Sequence, residues 1–266
     1  MVQKKSRILS VHPRWRLAVA VVPVVVVIVL IKCAVHYFSY EFLSLSSLFT
    51  AIISANIFLI GFLISGTLVD YKESEKLPGD LAASLETMAD EGLIIYQSKQ
   101  SQEAKRFLQK LMQLNKSLVD WFYKKERTDS ILEQLRSFNE DFLIFESQTQ
   151  ANFIVRIKQE QNSIRKIIYR IHTIRETSFL GTGYAIAEII SFILVIGLIF
   201  IRIDPFYESI FFISFVSFIM IYMIYFIKDL DNPFGYNEEG SLVENVSLKP
   251  VLDCHRRIES HVNRCV

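Results

Sequence analysis

The sequence predicts an all-α membrane protein with four transmembrane helices per subunit and a helical cytoplasmic domain. Four segments are strongly apolar, and each is long enough to cross a bilayer as a helix of about 20 residues. Between the second and third segments lies a polar stretch in which apolar residues recur every three or four positions, which is the helical period. No alternating strand pattern competes with that period.

The composition agrees with this class and excludes several others. Hydrophobic residues make up 51% of the chain and charged residues 21%, a combination that indicates segregation of apolar residues into spans. The net charge of +1 gives no indication of nucleic-acid binding. Three cysteines, one of them inside a span, argue against a disulfide framework. No nucleophile elbow, phosphate-binding glycine loop or zinc-protease motif occurs, so we expect neither an enzyme nor a resident cofactor.

The first part of the chain is predicted to be a hairpin of two spans behind a basic segment. Residues 1–16 carry several lysines and arginines and no acid, which indicates a cytoplasmic amino terminus. The first span covers residues 17–38, and its Lys32 is expected to snorkel to the far interface. A short link leads into the second span, which completes the hairpin of residues 17–69. The first apolar run is too long for a cleavable signal.

The remainder is predicted to be a helical domain, a second hairpin and a tail. Residues 70–178 form the cytoplasmic domain, residues 179–227 the second pair of spans, and residues 228–266 a polar cytoplasmic tail with an amphipathic helix. Both termini therefore lie in the cytoplasm. The helical domain contains two clear apolar stripes that indicate core packing, namely Ile131, Leu135, Phe138, Phe142, Phe145 and Ile154, Ile157, Gln161, Ile164, Ile168, Ile171.

The second span carries a stripe of small residues interrupted by two phenylalanines. The stripe consists of Ala51, Ser54, Ala55, Phe58, Gly61, Phe62, Ser65, Gly66 and Val69. The opposite face is aliphatic and consists of Ile53, Ile57, Ile60 and Ile64. Small residues at this spacing commonly mark close packing between membrane helices. The alternative is that the stripe lines a pore, with the two phenylalanines as a narrow hydrophobic neck.

Two motifs resemble the bestrophin family of pentameric ion channels. The stretch Phe58–Phe62 reads Phe-Leu-Ile-Gly-Phe and is followed by a Leu-Pro pair at residues 77–78. It resembles the second transmembrane helix of the family, in which two aromatic residues at this spacing form the neck. The stretch Asn232–Gly235 reads Asn-Pro-Phe-Gly and precedes acidic residues directly after the last span, as in the family. The resemblance covers roughly residues 17–250.

The resemblance implies a homopentamer with the second span of each subunit around one axis. Ser54, Phe58 and Phe62 would then form the neck, and chloride or similar small anions would pass through it. Alternatives stay open, because the neck is followed here by Asp70, Glu73 and Glu75, with two lysines interspersed. A ring of carboxylates favours cations, so a cation-selective channel on the same scaffold is one alternative. A non-conducting membrane scaffold whose helical domain binds a partner is another, since packing explains every stripe.

Polar residues outside the second span suggest two further sites, one inside the third span and one after the last span. Glu188 lies inside the third span, where a carboxylate marks a polar pathway, as Asp70 could too, or a buried partner; for Glu188 a hydrogen-bonding role between helices is preferred over direct contact with ions. Five residues near the last span could supply oxygen ligands to calcium, namely Asp229, Asp231, Asn232, Asn237 and Glu238. The family's calcium clasp has acids where Asn237 and Gly240 stand here, so we expect at most a weak calcium site. The spacing of the cysteines and histidines in the tail fits no zinc module.

Overall fold

The computed structural model describes residues 15–177, 181–236 and 245–264 of the chain. Two short strands, β1 (Leu43–Ser44) and β2 (Ile201–Arg202), accompany the helices in the described part. The helices are α1 (Arg16–Tyr37), α2 (Ser47–Lys99), α3 (Gln102–Phe122), α4 (Thr128–Phe145), α5 (Ala151–Glu176), α6 (Gly181–Phe200), α7 (Phe206–Leu230) and α8 (Lys249–Arg264). Four apolar segments, in α1, α2, α6 and α7, are long enough to cross a membrane, which confirms the predicted class. The protein is an integral membrane protein.

The first of two compact units consists of α1, the part of α2 up to Asp70, α6 and α7. In this unit α7 packs against both α1 and α6. Branched apolar side chains fill the space between the helices, among them Ile28 and Ile213. At Gly197 on α6 the two helices come so close that an added Cβ would lie 2.8 Å from the ring of Phe49 on α2. This glycine therefore permits the close approach of α6 and α2.

The links between the spans pair with each other. Strand β1 lies parallel to β2, with Leu43 opposite Ile201 and Ser44 opposite Arg202. The sequence predicts simple short links here, because two residues are too few to show the alternation typical of a strand. The pairing joins the link between α1 and α2 to the link between α6 and α7.

Helix α2 extends over 53 residues and contributes to both units without a break. Lysine and glutamate, which favour the helical conformation, occupy positions 72, 73, 75 and 76, and no glycine interrupts the residues between Val69 and Pro78. The helix even continues through Pro78, although proline lacks the amide proton of a regular helical hydrogen bond. The second span and the beginning of the helical domain are therefore one element.

The second unit consists of the rest of α2, helices α3 to α5, the stretch Pro233–Tyr236 and α8. Helix α3 packs against both α4 and α8. Ser101 caps α3, because its hydroxyl accepts a hydrogen bond from the Ala104 amide at 3.2 Å. The apolar stripe predicted for α4 is buried throughout, and that of α5 is buried except for the half-buried Ile154. The helical period therefore identifies the core-facing sides of both helices.

The described carboxyl-terminal residues pack into the second unit. Phe234 is completely buried, and its ring centre lies 5.9 Å from that of Phe122. Val251, Cys254 and Ile258 follow at helical spacing along α8 and are buried as well. The amphipathic character of this helix is visible in the sequence, but the surface that it covers is set by tertiary packing against α3.

Candidate functional site

The face of α2 that the sequence assigns to a pore is exposed on the subunit. Phe58 and Phe62 are 78% and 66% exposed, and Ser54 is exposed too. The Ser54 hydroxyl donates to the Thr50 carbonyl at 3.0 Å and is therefore satisfied within the helix. A Cβ placed on Gly61 would meet no atom of another described element within 4 Å. Gly61 thus does not serve close helix packing inside the subunit.

The opposite face of α2 packs against α6 and α7. Ile60 is fully buried together with Leu63, and both contact an apolar cluster that includes Ile227. Asn56 is also buried, and its Nδ2 atom donates to Ser191 Oγ on α6 at 2.8 Å. Rotation of α2 about its own axis would break the hydrogen bond between Asn56 and Ser191 and leave two buried polar groups unpaired, which costs free energy. The packing behind α2 therefore holds its aromatic face outward.

Three hydroxyl and carboxyl groups connect α2, α6 and the end of α7. Thr67 Oγ1 lies 3.1 Å from the hydroxyl of Tyr184, and that hydroxyl donates to Asp231 Oδ1 at 3.0 Å. Thr67 also donates to the Leu63 carbonyl at 2.9 Å. Tyr184 lies among apolar residues of α6 and does not stand out in the sequence, since only the packing of α6 between the other two helices brings it to these partners.

The predicted calcium ligands are only partly within the described residues. Asp231 accepts the hydrogen bond from Tyr184, while Asp229 and Asn232 are half-buried near it at the end of α7. Asn237 and Glu238 lie outside the described residues. In the part of the chain that the structure describes, no group of three or more histidine, cysteine, aspartate or glutamate side chains is arranged to hold a metal ion. The weak calcium site stays a prediction.

The acids that follow the second span differ in their surroundings. Asp70 is half-buried, and Glu75 is exposed. Glu73 accepts two hydrogen bonds from the Arg170 guanidinium on α5, at 2.8 and 2.6 Å. This bidentate pair holds the pKa of Glu73 below its ordinary value. The negative charge of Glu73 is therefore largely balanced within the subunit.

Glu188, on α6, forms an ion pair with Lys228 near the end of α7. Its Oε1 atom lies 2.7 Å from Lys228 Nζ, and the two side chains are 40% and 54% exposed. The pair joins α6 to α7, and the role of Glu188 in a polar pathway or between helices stays a prediction. The lysine partner, however, comes from the region of the sequence assigned to the tail.

The position of Lys32 differs from the prediction. Lys32 is completely buried instead of snorkelling to an interface. Its ammonium group lies 2.6 Å from Glu41 Oε1 and donates to the carbonyls of Ile201 (2.5 Å) and Ile199 (3.2 Å). Ile199 lies in the last turn of α6, where the backbone carbonyls have no donors within the helix. Lys32 supplies a donor to the Ile199 carbonyl. His36 Nδ1 lies 3.0 Å from the other oxygen of Glu41.

Cys254, on α8, is a buried thiol. Its sulfur accepts from Asn115 Nδ2 at 3.3 Å and contacts the Ala82 carbonyl at 3.7 Å. Burial raises the pKa of the Cys254 thiol to about 12, so the neutral thiol is the favoured form. Cys265 lies outside the described residues.

Comparisons with known proteins address the fold. No family model matches the sequence, and no curated protein matches it either. Several solved structures do match. A variant of a bacterial bestrophin homologue from Klebsiella pneumoniae aligns over 92% of this chain and 99% of its own, with a TM-score of 0.74 and 13% identity. A second crystal structure of that homologue aligns over 95% and 99%, with a TM-score of 0.71 and 12% identity.

This chain has the bestrophin fold. A third structure of the Klebsiella pneumoniae homologue covers 94% of this chain and 97% of its own, with a TM-score of 0.73 and 13% identity. The alignments extend over both compact units, so the bestrophin fold includes the helical unit as well as the spans. The fold implied by the Phe-Leu-Ile-Gly-Phe and Asn-Pro-Phe-Gly motifs is thereby confirmed.

Proposed function

We propose that this protein is the subunit of a homopentameric ion channel that conducts chloride or similar small anions. The observation that carries the proposal is the exposed pair Phe58 and Phe62, on a helix whose other side is occupied by packing, in a chain with the bestrophin fold. In the bestrophin family the second transmembrane helices of five subunits surround the pore. Five copies of α2 around one axis would bring the two phenylalanines into two stacked rings.

Rings of phenylalanine suit both gating and the passage of anions. An apolar constriction stops ions when it loses its water and passes them when it is wet. The edges of aromatic rings carry a positive partial charge, so edges that face the axis stabilise a partly dehydrated anion better than a cation. A fixed positive charge at the neck itself is therefore not required for anion passage.

We assign the second unit and both termini to the cytoplasmic side of a cell membrane. Residues 1–16 contain basic residues and no acid, and positive residues concentrate on the cytoplasmic side of membrane proteins. Helix α5, which directly precedes the third span, is also rich in arginine and lysine. The same rule therefore places α5 and its unit in the cytoplasm.

Two measurements test the proposal: the number of subunits in the purified protein and the ion flux through it. Native mass spectrometry of the purified protein is expected to give a pentamer, and vesicles that contain it are expected to release chloride faster than empty vesicles. A monomer or dimer that passes no ions would contradict the proposal and would favour a non-conducting scaffold.

A cation-selective channel is the second candidate, because the acid Glu75 is exposed on α2 beyond the neck. Carboxylate rings favour cations in channels. Reversal potentials across a gradient of sodium chloride distinguish the two candidates: a potential near the equilibrium value of chloride supports the anion channel, and one near that of sodium supports the alternative.

A further inference from the structure

The outward stripe of α2 continues beyond the neck and becomes basic. After Phe58 and Phe62 the exposed positions at helical spacing are Ser65 and Val69, followed by Lys72 and Lys76, which are both exposed. The helix is unbroken throughout this stretch. The first ionisable side chains that follow the aromatic pair on the same stripe are therefore lysines.

The neighbouring carboxylates are placed less favourably for contact with a permeating ion. An α-helix turns by about 100° per residue, so Asp70, one residue after Val69, and Glu75, one before Lys76, point away from the stripe. Glu73 lies nearer to the stripe, but two hydrogen bonds from Arg170 balance its charge. Asp80 is the nearest acid on the stripe itself, one turn beyond Lys76.

We propose that Lys72 and Lys76, which follow Phe62 along α2, form an anion-binding ring in the channel and set the preference for anions over cations. The inference rests on the proposed channel. In a pentamer it places ten ammonium groups around the axis, where the low-dielectric walls of a pore concentrate their field. The ligands are small hydrated monovalent anions. The ring would raise their local concentration and repel cations before either reaches the apolar neck.

The test compares charge removal with charge retention in vesicles of the full-length protein. We expect the double variant Lys72→Gln/Lys76→Gln to lower the permeability ratio of chloride to sodium several-fold, because the ring loses its charge. Lys72→Arg/Lys76→Arg should keep the ratio of the original protein. Lys116→Gln/Lys249→Gln removes two exposed lysines from α3 and α8 and should also leave the ratio unchanged. Asp80→Asn should raise the ratio.

The outcomes separate this inference from the proposed function. Original protein that passes no ions overturns both. Protein that conducts, with a permeability ratio that the glutamine variant leaves unchanged, overturns only the lysine ring. Crystals of the unmodified protein grown in bromide provide a second measurement that does not depend on variants. Anomalous density beside Lys72 or Lys76 supports the ring, and bromide bound elsewhere on α2 but not there overturns it.

Discussion

Helices α1 and α2 both present apolar faces outward, yet the two faces differ in kind. The exposed face of α1 is aliphatic and includes Val19, Val22, Val26, Val27, Leu30 and Ile31. The exposed face of α2 also has aliphatic residues such as Ile52 and Val69. It differs from α1 in its small residues, hydroxyl groups and aromatic pair, which include Ala51, Ser54, Ala55, Phe58, Phe62 and Ser65. Branched aliphatic chains suit contact with lipid tails, whereas small and hydroxyl-bearing residues suit water or another helix. Under the proposed function, composition and not exposure distinguishes the lipid face of α1 from the pore face of α2.

The largest expected change in stability comes from a substitution on the inward side of α1. Lys32→Met would leave the Glu41 carboxylate without its ammonium partner and the carbonyls of Ile199 and Ile201 without the Lys32 donor. Removal of one member of a buried ion pair typically costs about 3–5 kcal/mol. We expect a large loss of thermal stability of the detergent-solubilised protein. Ile31→Ala, on the outward face of the same helix, is the matched control and should change stability little. Equal stability of the two variants would show that the buried pair contributes nothing.

The aromatic pair tests the outward face of α2 directly. We expect Phe58→Ala/Phe62→Ala to widen the neck and keep it wet, so that a pentamer still assembles but conducts more and closes less. Stability should fall by less than the roughly 3–5 kcal/mol typical of a buried phenylalanine, because these rings are mostly exposed on the subunit. Single-channel recording in planar bilayers measures the conductance.

Two controls decide whether the faces of α1 and α2 have been assigned correctly. Val26→Ala/Val27→Ala shortens exposed side chains of α1 and should leave conductance unchanged. Ile57→Ala/Ile64→Ala lies on the packed side of α2 and should impair assembly without altering the unit conductance. If the isoleucine variant changes permeation while the phenylalanine variant fails to fold, the pore lies on the other side of the helix.

A smaller effect is expected where α2 contacts α5. Glu73→Gln removes the ion pair with Arg170, and exposed pairs of this kind contribute about 0–1 kcal/mol. Because the folded state lowers the pKa of Glu73, the pair stabilises the fold above the unfolded pKa, and this contribution is lost as the pH falls through the folded value. The stability difference between the original protein and the variant should therefore be present at neutral pH and vanish in acid. Thermal unfolding at both values measures it, and a difference that persists in acid would assign the effect to another cause.

The smallest expected effect is that of calcium on conductance. Asp231 is engaged by Tyr184, and the acidic run beyond it is incomplete, so conductance should not respond to micromolar calcium. The conductance is measured over a range of free calcium concentrations, with Asp231→Asn as the comparison. Steep activation that Asp231→Asn or Glu238→Gln abolishes would establish a functional site.

The sequence predicts the features that depend on local pattern. The spans follow from continuous apolar runs, and the core faces of α4 and α5 follow from helical spacing at residues such as Phe138 and Ile164. The two sides of α2 follow from the same period, since Ile60 is buried and Phe58 is exposed. These features need only the geometry of one helix.

Features that join distant parts of the chain are not predictable in this way. Lys32 resembles a snorkelling lysine because nothing close in sequence indicates the carbonyls of Ile199 and Ile201. Tyr184 becomes a link between helices only after α2 and α7 pack on either side of α6. Such contacts belong to tertiary structure, and a single sequence contains no local signal for them.

The buried thiol of Cys254 has a practical consequence for labelling. With a pKa of about 12, almost none of this thiol is ionised at neutral pH, and the thiolate is the form that oxidants and maleimides attack. Cys254 is also completely buried, so reagents in the solvent have little access to this thiol in the folded protein. For labelling at an introduced Phe58→Cys, Cys33 and Cys265 are therefore the native thiols to replace, while Cys254 can keep its side chain.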